Sequence, residues 1–332
     1  MKTTLPLTAA LLAGCAAPFV LAATAATAQE AAKPAAPSPG EIVDAAPVGD
    51  WVEIAAHDLM VMDLAPDAAG KPRRVVIQLI GAPFSQGWVD NIRNLVAKRY
   101  YDGLAVIRVQ DNYVTQWGDP AEEEGPDVRP LPEGLKVMPE SDYVVRGGDV
   151  ANWQKFKDLT YPKGSISSYS AFSDGWPIVA SGTPDSLAKW PTHCYGMVGV
   201  ARDMSPNTGD GSSLYTVIGH APRHLDRNIA LAGRVIGGME HLSALPRGSG
   251  PLGFYTEDET RPEIVSVRIA DELPESERPR FAYLSTDSDA FARYADARAN
   301  RRDPFFIVPA GGADICNIPV PVKAYPWVRP AG

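Results

Sequence analysis

Short apolar runs broken by glycine, proline, asparagine and aspartate set the character of this chain. Residues 59–64 (LMVMDL) and 75–80 (VVIQLI) are apolar runs of strand length, and the PDAAGKP stretch between them reads as a turn. The period then changes. Trp88, Ile92, Leu95 and Val96 fall at i, i+4, i+7 and i+8, one apolar stripe of a helix capped at Ser85 and stopped at Gly103. Strands are predicted at 104–109 and 113–117. From about 120 to 192 the pattern is interrupted by an acidic AEEEGPD stretch, scattered Pro and Gly, and Trp153, Trp176 and Trp190. A structureless loop of that length would be out of place in a folded domain, so this is an insertion with local structure of its own. Short strands return over 195–235. A short helix covers 238–245 and is closed by Pro246. The last part predicts a strand at 264–269, a helix at 288–300 and an extended run at 305–308.

This order is strand-rich, with one helix after the second strand and another near residue 240. It fits a mainly β fold, a closed antiparallel barrel with helices plugging its two ends. It does not fit βαβ alternation, and no G-x-G-x-x-G loop is present for a nucleotide. The abundance of Gly (29) and Pro (31) in 332 residues argues against a long all-helical fold. The formal charge of −9, without a basic stripe, argues against nucleic acid as a partner.

The N-terminus begins with Lys2, continues apolar from Leu5 to Ala26 and ends in Ala26-Thr27-Ala28, the pattern of a cleavable export signal. Leu12-Ala13-Gly14-Cys15 offers a second option, a lipid anchor on Cys15, but the chain after Cys15 stays apolar instead of becoming a polar tether. The expected organisation is a signal at 1–28 and a disordered, Ala/Pro-rich linker at 29–50. A barrel at 51–246 carries the insertion at 121–194, and an extension at 247–332 packs on it. Cys194 and Cys316 are the cysteines beyond the signal. In an oxidising compartment they can pair or remain two thiols, and spacing alone does not decide.

Three blocks carry a resemblance. Residues 87–120 hold Tyr100-Tyr101-Asp102-Gly103, then Val106-Ile107-Arg108-Val109, then Tyr113, Gln116 and Gly118-Asp119-Pro120. They are similar to the cyclophilin signature F-Y-D-G, F-H-R-V, an aromatic, and Q-G-G-D-P. Residues 196–219 (GMVGVARDMSPNTGDGSSLYTVIG) resemble that family's G-x-L-x-M-A-x-A-G-x-N-T-x-G-S-Q-F-F-I, and 224–242 (HLDRNIALAGRVIGGMEHL) resemble W-L-D-G-x-H-x-V-F-G-x-V-x-x-G-M-x-x-V. The resemblance implies an eight-stranded cyclophilin-like barrel. It also implies peptidyl-prolyl cis-trans isomerase activity without metal or cofactor. The implied partners are proline-containing peptides and, with the export signal, exported proteins during folding; the protein is expected to be a monomer in the periplasm, where the signal at 1–28 sends it.

Residue by residue, the resemblance makes Arg108 the catalytic group. Gln116 holds substrate backbone, Tyr113 and Val114 form the floor of a proline pocket, Ala201 lies under the chain preceding proline, and Tyr215 and Leu225 are further walls. Ser213 stands where the family has a second glutamine, His224 where it has an indole, Ile229 where it has a histidine, and Ile107 where a histidine precedes the arginine. These departures bear on efficiency, substrate preference and cyclosporin-type inhibitor binding. They motivate an alternative, a peptide-binding or chaperone-like module with little turnover. His220, His224 and Asp226 carry little weight as a metal site, since His-x3-His in a loop lacks a helix to align the rings. Ser212-Ser213 lacks the G-x-S-x-G elbow of a hydrolase.

Overall fold

Alternation of inward and outward side chains builds the main sheet, as the sequence pattern requires. The computed structural model describes residues 35–121, 127–147, 154–155, 169–182 and 186–324. The expected signal, the Cys15 option and residues 29–34 of the expected linker lie outside the described residues. In chain order the elements are α1 (Pro39–Asp44), β1 (Trp51–Glu53), β2 (Leu59–Leu64), β3 (Arg73–Leu79), α2 (Gln86–Ala97), β4 (Ala105–Val109) and β5 (Val114–Gly118). The insertion contributes β6 (Val145–Arg146), β7 (Gln154–Lys155), β8 (Tyr169–Ser173), β9 (Trp176–Ser181) and β10 (Ala188–Pro191). Then come β11 (Met197–Val200), β12 (Leu214–Val217), β13 (Leu231–Gly237), α3 (Glu240–Ser243), β14 (Ile264–Ile269), β15 (Phe281–Leu284), α4 (Asp289–Ala299) and β16 (Val322–Ala324).

Eight strands form one antiparallel sheet in the order β14-β2-β3-β13-β11-β12-β5-β4. Its two edges meet: the Gly103 N–H donates to the Ile264 carbonyl at 2.8 Å, and the Ile264 N–H donates to the Leu104 carbonyl at 2.7 Å. This seam closes the barrel and removes the exposed edges an open sheet would leave. Inside lie Met60, Met62, Ile77, Leu79, Val106, Trp117, Val198, Leu214 and Val267. The α2 stripe of Trp88, Ile92, Leu95 and Val96 and the α3 residue Leu242 complete the core. Burial of that stripe is what makes α2 a helix of this protein. Ser85 does precede it, but in a left-handed conformation and without a capping hydrogen bond from its side chain.

The barrel does not end at residue 246, as the sequence reading has it. Strand β14 pairs with β2 over Ile264–Ile269 and is the eighth stave, so part of the expected extension belongs to the barrel. The sequence did mark 264–269 as a strand; only pairing with a segment 200 residues earlier assigns it. The expected disordered linker also contains structure. The Ser38 N–H donates to the Glu41 carboxylate at 2.7 Å, and the Glu41 N–H donates back to Ser38 Oγ at 3.3 Å, a reciprocal capping box with Pro39 at the first helical position. Ile42 then anchors α1 beside Phe291 and Ala295 of α4. Composition averaged over the segment hides those few residues. The run at 305–308 is not a strand; it bends with Phe305 84% and Ile307 96% exposed, and among the described residues no ladder partner reaches it.

The insertion forms its own five-stranded antiparallel sheet, order β6-β10-β9-β8-β7, and the tail strands β15 and β16 join β1 in a third sheet. A disulfide between Cys194 and Cys316 ties the end of the insertion to the tail, with Cα atoms 5.0 Å apart and a sequence separation of 122. Closing so long a loop restricts the unfolded chain. Replacing both cysteines with alanine is expected to lower stability by about 2–4 kcal/mol, read as a fall in the urea midpoint against untreated wild type.

Asp102 pins the closure seam. Its carboxylate accepts from the Val267 N–H at 3.0 Å and from Arg268 Nη1 at 2.7 Å. Burial pushes this carboxyl up, but the hydrogen bonds from Arg268 and Val267 and the charges of Arg268 and Arg99 outweigh burial and hold it below the usual carboxylate range. A depressed folded-state pKa contributes stability above the unfolded pKa, and that contribution disappears as pH falls through the folded value. Asp102→Asn is therefore expected to cost on the order of 1 kcal/mol at neutral pH and to flatten the loss of stability on acidification. Chemical denaturation as a function of pH checks this.

Candidate active site

A single extra residue in β4 builds the site. Val106 faces Trp117 across the β4–β5 ladder, and Val109 faces Thr115, yet Arg108 faces Gln116. Ile107 is the bulged residue. Val106 and Val109 both enter the core, three positions apart, and Arg108 turns to the outer surface. From there the register runs Arg108, Gln116, Tyr215, Gly199 across β4, β5, β12 and β11. These residues share the outer face because the pleat alternates sides.

Three neutral oxygens accept from the Arg108 guanidinium. Nε donates to the Leu252 carbonyl at 2.8 Å, Nη1 donates to Gln116 Oε1 at 3.3 Å, and Nη2 donates to Gln110 Oε1. It lies 5.8 Å from the Tyr113 ring centroid and 5.2 Å from that of Phe254. Gln116 donates in turn to Ser213 Oγ at 3.2 Å, and Ser213 donates to the Trp117 carbonyl at 3.3 Å. Beside this polar row, Val114, Tyr215 and Val217 form a buried apolar floor. Partly exposed Tyr113, Ala201, Leu225 and Ile229 rim it. The exposed His224 ring stacks on Tyr113 at 6.3 Å and 10°. A polar cavity of about 330 Å³ continues from Gln116 and Ser213 toward Arg202, Asp203 and Asp210. The structure thus gathers all nine residues named from the sequence, Arg108, Tyr113, Val114, Gln116, Ala201, Ser213, Tyr215, His224 and Leu225, on one face.

Two groups of neighbours were not foreseen. The first is the 248–255 segment. It runs along β4, with the Tyr255 N–H donating to the Ile107 carbonyl at 2.9 Å and the Gly248 N–H donating to the Val109 carbonyl at 3.1 Å. It brings Leu252 and Phe254 to Arg108. A Cβ at Gly253 would sit 2.7 Å from the Gln110 Cα, so only glycine permits this approach. The turn-forming S-G-P-L-G-F stretch is visible in the sequence, but its target is not. The second group is buried. Asp226, weighed above with two loop histidines, faces inward instead, to His193 Nδ1 at 2.9 Å and Arg223 Nε at 2.8 Å. Burial pushes its carboxyl up, but the His193 hydrogen bond and the Arg223 charge prevail and hold it below the usual range. Burial above all, and the negative charge of Asp226 with it, push the Tyr215 phenol up, so it stays an O–H.

Comparison with known proteins agrees with this geometry. The family model for "cyclophilin type peptidyl-prolyl cis-trans isomerase/CLD" matches residues 73–271, more than half of the chain, and includes β14. The crystal structure of a cyclophilin from Hirschia baltica superposes with a TM-score of 0.62 at 22% identity, covering 82% of this chain and 93% of that one, a likeness of fold. A Synechocystis protein named as a thylakoid lumen peptidyl-prolyl cis-trans isomerase is 35% identical over 68 residues, 20% of this chain and only 17% of its own length. With seven of the eight barrel strands, the bulged arginine and the three motif blocks falling within the matched region, the chain belongs to the cyclophilin-type peptidyl-prolyl cis-trans isomerase family.

Proposed function

We propose that this protein catalyses rotation about X–Pro peptide bonds, with Arg108 as the catalytic group. The observation that carries the reading is a fixed guanidinium beside an apolar floor, 5.8 Å from the Tyr113 ring and hydrogen-bonded to Gln116. An X–Pro amide turns slowly because its nitrogen shares a lone pair with the carbonyl, and the barrier is roughly 18–20 kcal/mol. Halfway round, that nitrogen is pyramidal and basic. A positive donor aimed at it stabilises the twisted state more than either planar one, which is the requirement for catalysis. No bond breaks, so no nucleophile or proton relay is needed. Tyr113, Val114, Ala201, Tyr215 and Leu225 would hold the proline ring and the chain before it. Gln116 would hold the substrate backbone, with Ser213 and His224 at the rim.

The neutral oxygens around Arg108 matter to this reading. They orient the guanidinium, and a neutral acceptor does so without the charge compensation a carboxylate brings. The substrates proposed are proline-containing segments of exported proteins, for which slow isomerisation limits folding. The motif at 1–28, the Cys194–Cys316 disulfide and the relative named for the thylakoid lumen all support an exported, periplasmic setting. The departures at Ser213, His224 and Ile229 favour a second reading, a peptide-binding module with little turnover.

One experiment separates the two. Wild type is expected to accelerate cis-trans exchange of a proline tetrapeptide, and Arg108→Ala is expected to lower kcat/KM by about 10²–10³-fold while leaving peptide affinity nearly unchanged. Since a guanidinium stays charged throughout, the rate should vary little across neutral pH. Peptide binding without acceleration by wild type would favour the module.

A further inference from the structure

Tyr215 differs from the family pattern at one atom. That pattern carries phenylalanine here, whereas this chain adds a hydroxyl to a ring only 4% exposed. A buried hydroxyl without a partner costs about 1–3 kcal/mol, so the ring can rest only where an acceptor stands. Tyr215 Oη lies 3.0 Å from His193 Nε2, and the two rings are inclined by 11°. His193 is fully buried.

The direction of each hydrogen bond follows from Asp226. Ionised, it can only accept. One of its oxygens takes both the His193 backbone N–H and Nδ1–H at 2.9 Å, and the other takes Arg223 Nε at 2.8 Å. In the neutral tautomer with its proton on Nδ1, Nε2 presents a lone pair, and the Tyr215 O–H donates to it. The chain is fully satisfied in one arrangement, and that arrangement aims one ring. Gly199 completes the device: a Cβ there would lie 2.3 Å from the phenol, so the ring lies flat across a bare strand on its way to His193.

The same device is braced by both additions to the barrel. His193 precedes Cys194, whose disulfide reaches Cys316, and Asp314 lies 3.5 Å from Arg223 Nη1. Arg223 and Leu225, the latter on the pocket rim, belong to one short 3₁₀ turn.

We propose that His193 is a positioning residue for the substrate pocket: through the Tyr215 hydroxyl it sets the wall against which the proline ring packs, and so the tightness of peptide binding. The proposal rests on reading the Val114–Tyr215–Leu225 cluster as an X–Pro site. The group that touches substrate is Tyr215; His193 acts through it.

The test compares His193→Leu, His193→Gln, Tyr215→Phe and the pair His193→Leu/Tyr215→Phe with wild type. KM, kcat, the Kd of a proline tetrapeptide and Tm are read for each. His193→Leu is expected to raise KM and Kd by about 5–10-fold, near one decade of affinity, with kcat within about twofold. Gln supplies an acceptor near the place of Nε2, so His193→Gln should restore most of the affinity. Tyr215→Phe should weaken binding as His193→Leu does, and the pair should be no worse than either single variant. A fall in Tm with unchanged KM and Kd overturns the proposal, as does a His193→Leu effect that persists in full without the Tyr215 hydroxyl. If His193→Leu does not fold, Tyr215→Phe decides: unchanged affinity overturns it. Should wild type bind peptide without accelerating exchange, the isomerase reading fails while the Kd series still tests His193.

Discussion

A bulge of one residue at Ile107 decides where Arg108 stands on the barrel. A barrel strand normally sends every second side chain to the core, so residues 106 and 108 would share a face. Here Val106 and Val109 both point inward and Arg108 points out. The core gains two apolar contacts, and the surface gains a cation at the point where β4, β5, β12 and β11 present their outer residues in register. An alanine or leucine at 108 would leave the barrel intact and the face without its charge.

Charge placed on an apolar surface must be held, and here it is held by neutral oxygens and ring faces. The Leu252 carbonyl, Gln116 and Gln110 orient the guanidinium, while Tyr113 and Phe254 offer the negative faces of their rings. The positive charge is shared with no carboxylate in these contacts. Deeper in, the opposite solution is used. Asp226 is buried with His193 and Arg223 around it, and burial of a carboxylate is tolerable only with such donors. The outer cation is fixed by neutral acceptors; the inner charges keep each other in place.

Additions to the barrel support the site from behind. The insertion ends in His193 and Cys194, and the tail supplies Asp314 and Cys316. The loop between α3 and β14 supplies Leu252 and Phe254. None of these segments lies in the strands that carry Arg108, Gln116 and Tyr215: the insertion reaches Tyr215 through His193, the loop reaches Arg108 through the Leu252 carbonyl, and the tail reaches Arg223 through Asp314.

Local conformation was legible in the chain. Strand β2 at 59–64, strand β14 at 264–269 and the α2 stripe follow from apolar periodicity, because a side chain's direction within a strand or helix depends on its near neighbours. The grouping of the nine candidate residues was legible as well, since three motif blocks preserve the spacing that puts them on one face. What the sequence could not decide depends on partners far along the chain. Arg108 meets the Leu252 carbonyl across 144 residues, and Cys194 meets Cys316 across 122. Closure by β14, the inward turn of Asp226 toward His193 and the helix anchored by Ile42 are decisions of the same kind. Hydrogen bonds, disulfides and packing act over a few ångströms, and only the folded chain says which distant residues come within that reach.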